Sequence, residues 1–381
     1  MIETSEKKEE KEQEKKETEI KETKILAKED IKQLIKNQEK STSRKLDFMS
    51  IASLVAPGTP LRVAINEIKK AKCGALIVVD VPGLAAALDG GFRVGCKFTP
   101  QRLVELSKMD GAIILSSDMR RILFANTLLV PDVSIPTRET GTRHKAAERI
   151  AKQFDTLTIA ISERRKTATI YSKEFRYVLR SSHELLRRAV ESLQILEKQK
   201  EIFEDLLLNL NILEFSNLVN LDDVCLFIQR AQIILKIASI INRYITELGT
   251  EGSIIKIRLK ELLKDVEKEQ ELVIKDYARL QPRKTKALLS VLSFDELLNL
   301  KNIAIALGTS NATPPRGYRI LHKAGLGEKE QEIIMKKFRN LPSLLEASQE
   351  SLISVIEKET ATQLHKKLAE MKKQALLGKG I

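Results

Sequence analysis

Gly74-Ala75-Leu76-Ile77-Val78-Val79-Asp80-Val81-Pro82-Gly83 sets a short apolar run between a glycine and a Pro-Gly turn. So short a run reads as a strand, and its lack of polar alternation marks one covered on both faces. Ala112-Ile113-Ile114-Leu115 repeats the pattern. With Arg121-Ile122-Leu123-Phe124-Ala125 it flanks Ser117-Asp118 and reads as a hairpin. Leu157–Ile161 and Ala168–Tyr171 form a second such pair around Glu163-Arg164-Arg165-Lys166. Helical spacing occupies Pro60–Ala71, Pro100–Lys108 and Thr142–Phe154. Strands and helices mixed in this way predict an α/β or α+β layer fold over about 46–180.

On either side the character changes. Residues 1–45 are nearly all Lys, Glu, Thr and Gln, with 13 basic and 12 acidic side chains. They have too little to bury to offset ordering entropy, and a disordered tail is expected. Residues 181–281 repeat apolar positions at three- and four-residue spacing (Leu186, Ala189, Leu193, Leu196, Phe203, Leu207, Leu210), with Lys200 as the polar interruption. Further periodic stretches run over Val224–Leu248 and Ile254–Val266, and no proline occurs between Pro136 and Pro282. This predicts long amphipathic helices packed on one another, a spine and not a catalytic element. Residues 282–381 read as short helices, broken at Thr313-Pro314-Pro315-Arg316-Gly317 and at Gly325-Leu326-Gly327.

Composition limits the classes of function. The chain has 381 residues and a net charge of +13. Residues 282–381 hold 17 basic against 10 acidic side chains, an excess that suits a polyanion as well as it suits a basic surface. No run approaches ~18 uninterrupted apolar residues, so no transmembrane helix and no membrane partner are expected. The start alternates Lys and Glu, unlike a secretory signal. Cys73, Cys96 and Cys225 lack the spacing of a metal site or a disulfide framework, and a cytoplasmic location is expected. The chain has no P-loop, no dinucleotide fingerprint and no Gly-x-Ser-x-Gly elbow. His144, His183, His322 and His365 form no i, i+4 zinc pair.

Two clusters remain. Asp110-Gly111 places an acid and a glycine before a buried strand, where a carboxylate can hold a divalent metal or accept a proton. The alternative is a turn whose Asp caps an amide. The second cluster is Glu139-Thr140-Gly141-Thr142-Arg143-His144-Lys145-Ala146-Ala147-Glu148-Arg149. Cationic groups in a helix's first turn oppose the dipole unless an anion sits among them. Together the clusters point to a nucleotide triphosphate bound with a metal.

Asp110-Gly111-Ala112 followed by Arg143-His144-Lys145 resembles the Asp-Gly-Ala and Arg-His-Arg pair of diadenylate cyclases. Gly90-Gly91-Phe92, Pro131-Asp132, Ile135-Pro136-Thr137 and Ser162-Glu163-Arg164-Arg165 agree. Gln229-Arg230-Ala231, Glu247–Gly252 and Pro315-Arg316-Gly317-Tyr318-Arg319 resemble one branch, the DNA-integrity-scanning diadenylate cyclases, over roughly 46–350. The resemblance implies an α/β cyclase domain with a mixed central sheet (46–180), an all-α spine (181–281) and a small helix-hairpin-helix-like α domain (282–381). It implies condensation of two ATP into cyclic di-AMP with release of two pyrophosphates, using Mg²⁺ or Mn²⁺. Two cyclase domains would face each other within an octamer, and DNA, branched by preference, would act at the C-terminal domain.

Carried over by resemblance, Asp110 would hold the metal and help deprotonate the 3′-hydroxyl, with Arg143 and His144 as its catalytic companions. Gly111, Ala112 and Leu129 would lie against the nucleoside. Thr142, Arg143, His144, Lys145 and Ala146 would lie along the triphosphate, with Ser162 as a further contact. Arg316, Lys323, Gly325 and Gly327 would meet DNA. The sequence departs from the pattern in three places. Lys145 replaces an arginine, keeping charge but losing the bidentate fork. Ala146 replaces a threonine and removes a hydroxyl. The hairpin glycines are missing from Val355-Ile356-Glu357-Lys358-Glu359-Thr360-Ala361, for which Gly325-Leu326-Gly327 could substitute. Reduced cyclase activity and weak, salt-sensitive DNA binding are expected. The alternative is a degenerate cyclase that only binds nucleotide or DNA as a scaffold.

Overall fold

The computed structural model describes residues 49–173, 175–309 and 314–379. The disordered tail expected at 1–45 lies outside the described residues. The chain divides into two compact units, one of residues 49–189 with 243–255, the other of 190–242 with 256–379.

In the first unit, β1 (Ala75–Val79), β2 (Leu88–Asp89), β3 (Phe92–Lys97), β4 (Ala112–Leu115), β5 (Arg121–Leu129), β6 (Leu157–Ser162), β7 (Thr167–Ser172) and β8 (Phe175–Val178) form one sheet. Its order is β2-β5-β4-β1-β6-β7-β8, with β3 also on β5. Among the described residues β1 and β4 pair in parallel and the other pairings are antiparallel, so the sheet is mixed as expected. The two apolar runs are covered on both faces. Ile77, Ile113 and Leu115 pack in one core with α1 (Pro60–Lys70) and α2 (Pro100–Leu106), while Leu76, Val78, Ala112 and Ile114 pack beneath α3 (Thr142–Phe154). That two-residue alternation between faces is why the sequence shows an unbroken hydrophobic run. Thr59 and Thr99 cap α1 and α2, each followed by a proline at the first helical position.

The topology gathers one end of the sheet. Because β1 and β4 are parallel with Leu76 opposite Ala112, Gly74 falls level with Asp110 at their N-terminal ends. Ala75 opposite Ile161 brings Ser162 to the same end, and Ala112 opposite Thr127 brings the last residues of β5 there.

The long helices are α4 (Ser182–Ser216) and α5 (Leu221–Leu248), followed by α6 (Ser253–Leu262) and α7 (Val266–Tyr277). Lys200, the polar interruption, is only 15% exposed. Its Nζ sits 4.9 Å from the Phe203 ring centroid and donates to the Lys264 carbonyl at 3.2 Å, so the stem packs while the charge is satisfied. One expectation needs adjustment. By length and composition, Leu221–Tyr277 contains a stretch apolar enough to cross a membrane, with mean hydropathy 1.8. Some 56% of that stretch is buried inside the protein, as in a core helix of a bundle. The three cysteines are free thiols.

The last region continues with α8 (Pro282–Val291), α9 (Phe294–Leu298), α10 (Leu300–Leu307), α11 (Tyr318–Lys323), α12 (Glu328–Phe338), α13 (Leu341–Leu345), α14 (Gln349–Ile353) and α15 (Lys358–Leu376). It shares a compact unit with most of the spine helices instead of standing apart. A buried ionic network ties the two together. Arg319, fully buried, pairs with Glu214 of α4 and donates to Asn211 Oδ1 at 2.6 Å. Asp276 of α7 accepts the backbone N–H groups of Gly317, Tyr318 and Arg319 at 2.9, 2.7 and 3.1 Å, capping α11. Burial and the neighbouring Glu214 charge push the Asp276 carboxyl up to about 7, against the pull of the Arg319 and Tyr318 amides and the Arg319 charge.

Candidate active site and its relatives

The start of α3 carries the densest functional geometry. Gly141 is its N-cap, with no side chain to occupy the first amides, and the first turn holds no acid. Arg143, His144 and Lys145 stand there instead, all partly buried. The nearby carboxylates are engaged elsewhere. Glu139 is bound by Arg176 Nε at 2.6 Å, and Glu148 by Lys152 at 2.9 Å. Among the described residues neither Arg143 nor Lys145 has an ion-pair partner. Open amides and unneutralised cations at one helix start form a site for a polyanion.

The loop before α3 is pinned so that this turn is held in place. Glu148, nearly buried, accepts from Thr137 Oγ1 at 2.5 Å and from the Arg138 amide at 3.3 Å. Arg149 Nε and Lys152 Nζ donate to the Ile135 and Pro136 carbonyls, and Gln153 Oε1 accepts from the Asp132 amide. Charge-assisted contacts of this kind keep a first turn from fraying.

Asp110 is exposed immediately before β4. Gly111 adopts φ +89°, and a Cβ there would lie 2.8 Å from the Asn126 carbonyl carbon, inside backbone of β5. Glycine is therefore required by the approach of β5 as well as by any ligand. Gly74 has a different reason. A Cβ there would meet Arg143 Nη1 at 2.1 Å, so the glycine is the seat of the Arg143 guanidinium. A Gly74→Ala substitution is expected to displace that flexible side chain and raise the KM for a triphosphate about tenfold, with little change in melting temperature. Steady-state kinetics beside a thermal melt checks this.

His144 Nδ1 lies 2.8 Å from the Tyr171 hydroxyl, which donates to Glu139 Oε1 at 2.9 Å. Burial lowers the His144 pKa, and the Arg143, Arg176 and Arg165 charges add to this while Glu139 opposes it. Burial pushes the Tyr171 hydroxyl well up, with Glu139 adding to it.

The other expected residues fall as follows. Ala112 is fully buried beneath α3, leaving only its backbone for contact. Leu129, 8% exposed, belongs to the same core and pairs with Leu88. Thr142 is exposed in the first turn, and Ala146 packs partly into the core. Ser162 ends β6, its Oγ accepting from the Arg165 amide at 3.3 Å. Gly74, Tyr171 and Arg176 join the site through the fold, with no motif in the sequence to mark them. No group of three or more His, Cys, Asp or Glu able to enclose a metal occurs among the described residues. A hard divalent ion held by one carboxylate and substrate phosphates needs no such cage, and exposed Asp110 fits that mode.

In the C-terminal region, Arg316 is exposed and donates to the Lys275 carbonyl at 3.0 Å. Lys323 is 14% exposed and pairs with Glu269 at 3.2 Å, so its charge already serves the buried network. Gly325, at φ +88°, and Gly327 join α11 to α12, with Leu326 buried between them. The Gly327 amide is taken by Glu330 Oε2 at 2.9 Å. Glu357 precedes α15 with ordinary negative φ, and Glu359 stands in that helix's first turn.

Comparison with known proteins decides the family. Residues 62–175 match the family model described as DisA bacterial checkpoint controller nucleotide-binding, and 179–314 the DisA bacterial checkpoint controller linker region. A DNA integrity scanning protein DisA of Acetivibrio thermocellus is 45% identical over 323 residues, 81% of this chain and 89% of that protein. That of Clostridium tetani is 42% identical over 347 residues, 88% of this chain and 96% of that protein. The chain belongs to the DisA family. It is a nucleotidyltransferase of the diadenylate cyclase class. Within that family the matched segments place Asp110, Gly111 and α3 in the nucleotide-binding region, and α4 to α7 in the linker.

Proposed function

We propose that the chain condenses two ATP into cyclic di-AMP and two pyrophosphates across a pair of facing cyclase domains. The observation that carries this reading is the first turn of α3, where Arg143 and Lys145 lack any carboxylate partner among the described residues. Arg143, His144, Lys145 and the Thr142 hydroxyl grip the triphosphate, with Ser162 as a further contact. Gly111, Ala112 and Leu129 border the nucleoside. Asp110 receives the 3′-hydroxyl proton; it would also hold Mg²⁺ or Mn²⁺, which would supply charge neutralisation. Each 3′-oxygen attacks the α-phosphorus of the facing nucleotide, and pyrophosphate leaves. Positioning and charge neutralisation supply most of such a transfer.

A single domain offers half of this site, so the specific rate should fall on dilution below the dimer dissociation constant. A rate per subunit that stays constant to nanomolar protein, with the oligomer dissociated, would contradict the reading. The degenerate-scaffold alternative rests on Lys145 and Ala146. Lys145→Arg restores the fork and is expected to raise ATP affinity several-fold while the product stays the same; an inactive protein whose Lys145→Arg variant is equally inactive favours the scaffold.

For DNA, the helix–Gly-Leu-Gly–helix turn at α11–α12 supports contact at Gly325 and Gly327, and Arg316 is exposed ahead of α11. Glu330 on the Gly327 amide and Glu328 in the same first turn oppose phosphate. Lys323 is pulled below the usual lysine range, chiefly by burial and the Arg319 charge, and contributes little. Binding to branched DNA is therefore expected to be weak and to lose at least ~10-fold in affinity between 50 and 200 mM salt. A fluorescence titration at the two salts checks it. The cytoplasm and an octameric assembly complete the reading.

A further inference from the structure

The hydrogen bonds behind His144 fix where its proton sits. Burial would raise the Glu139 pKa, but the Arg176 and Tyr171 hydrogen bonds outweigh it and hold the carboxylate ionised below the usual range. An ionised carboxylate only accepts. The single hydroxyl hydrogen of Tyr171 therefore lies on its 2.9 Å line to Glu139 Oε1. What Tyr171 turns toward His144 Nδ1, at 2.8 Å, is an oxygen lone pair, and Nδ1 must carry the hydrogen. We propose that Glu139 and Tyr171 are positioning residues of the nucleotide site, fixing His144 as the Nδ1–H tautomer so that Nε2 is the ring atom left for the nucleotide. This rests on the reading of the α3 start as the triphosphate site.

One consequence follows for binding. A neutral His144 in this tautomer presents a lone pair at Nε2, which repels a phosphate oxygen. Contact with phosphate needs a second proton, taken from solvent onto Nε2, with no other bond changed. The charged groups acting on the ring are Glu139, which favours the imidazolium, and Arg143, Arg176 and Arg165, which oppose it. In the free protein the three guanidinium groups and burial keep the ring neutral. A bound triphosphate cancels the positive charge, and Glu139, acting through Tyr171, steadies the imidazolium. Nucleotide binding is thereby coupled to uptake of a proton at His144. Tyr171 and Arg176 come from β7 and β8, so the hairpin behind α3 sets the chemistry of the helix start.

The test has two arms. Nitrogen-15 solid-state spectra of sedimented, histidine-labelled protein contain few signals, because the chain has four His, and His144→Gln identifies the relevant one. At pH 7.5 without nucleotide, His144 should show a protonated Nδ1 and a bare Nε2. A bare Nδ1 overturns the proposal, and this arm decides it even if a variant fails to fold. In the second arm, a non-hydrolysable α,β-methylene ATP analogue is titrated calorimetrically in two buffers of different ionisation enthalpy. About one proton should be taken up per site. Tyr171→Phe, with an unchanged melting curve, should lose the single tautomer and bind about tenfold more weakly, which is one charge-assisted hydrogen bond. Glu139→Gln keeps an acceptor for the Tyr171 hydroxyl and should retain the tautomer. A Tyr171→Phe protein with wild-type tautomer and proton uptake would overturn the proposal. No binding of the analogue with the tautomer intact would overturn the nucleotide reading instead.

Discussion

Asp110→Asn is expected to lower kcat by about 10²–10³ while leaving the melting temperature unchanged and the affinity for an ATP analogue within about threefold. The separation follows from where the binding charges sit. Asp110 is exposed before β4, whereas the cations proposed to grip the phosphates stand on α3. Asn keeps the shape and the hydrogen-bonding reach but loses the negative charge. It holds a divalent ion more weakly, through a neutral amide oxygen, and it cannot take the hydroxyl proton. A variant that loses binding and catalysis together would place Asp110 among the gripping residues. A variant with wild-type kcat would remove it from the chemistry.

Arg319→Ala should produce the largest loss of stability of any substitution considered, about 3–5 kcal/mol. The Arg319 and Glu214 side chains are wholly buried, and Asn211, Glu269 and Tyr277 complete the network. Removing the guanidinium leaves a buried carboxylate without its charge partner, the Tyr277 hydroxyl still donating to it at 2.9 Å. For a unit of this size the loss corresponds to a melting temperature lower by roughly 6–20 °C. Replacing the pair together, Arg319→Met with Glu214→Leu, should recover most of the loss, because an apolar pair of similar volume carries no stranded charge. Denaturant unfolding of the two variants measures both. An Arg319→Ala protein within 1 kcal/mol of wild type would show that the network carries no stability.

The strands and helices that frame the site were legible because their signals are local. The runs at β1, β4 and β6 are apolar on both faces and bounded by turns, and α1 and α2 open with Thr-Pro. The strands β2, β3 and β8 left little trace. β2 has two residues, β3 is largely exposed and slips register around Gly95, and β8 is only half buried. Arg143, His144, Lys145 and Asp110 were legible as unusual charges in unusual places. Tyr171 and Arg176 were not, because their role depends on the β7–β8 hairpin lying behind a loop more than 30 residues earlier in the chain. Gly74 reads in sequence as punctuation, and only packing shows the guanidinium seated on it. In the last region, Lys323 looked like a surface cation until the fold brought Glu269 beside it. The division at residue 282 follows a proline, a local signal, whereas the buried ionic network that joins both sides of it is not local at all.

The most direct test is product analysis. Purified protein incubated with ATP and Mn²⁺ should yield cyclic di-AMP and pyrophosphate in a 1:2 ratio, by chromatography and mass spectrometry, with the Asp110→Asn protein essentially silent under the same conditions. Absence of cyclic di-AMP from the wild-type protein, at concentrations where it is assembled and binds the ATP analogue, would contradict the account.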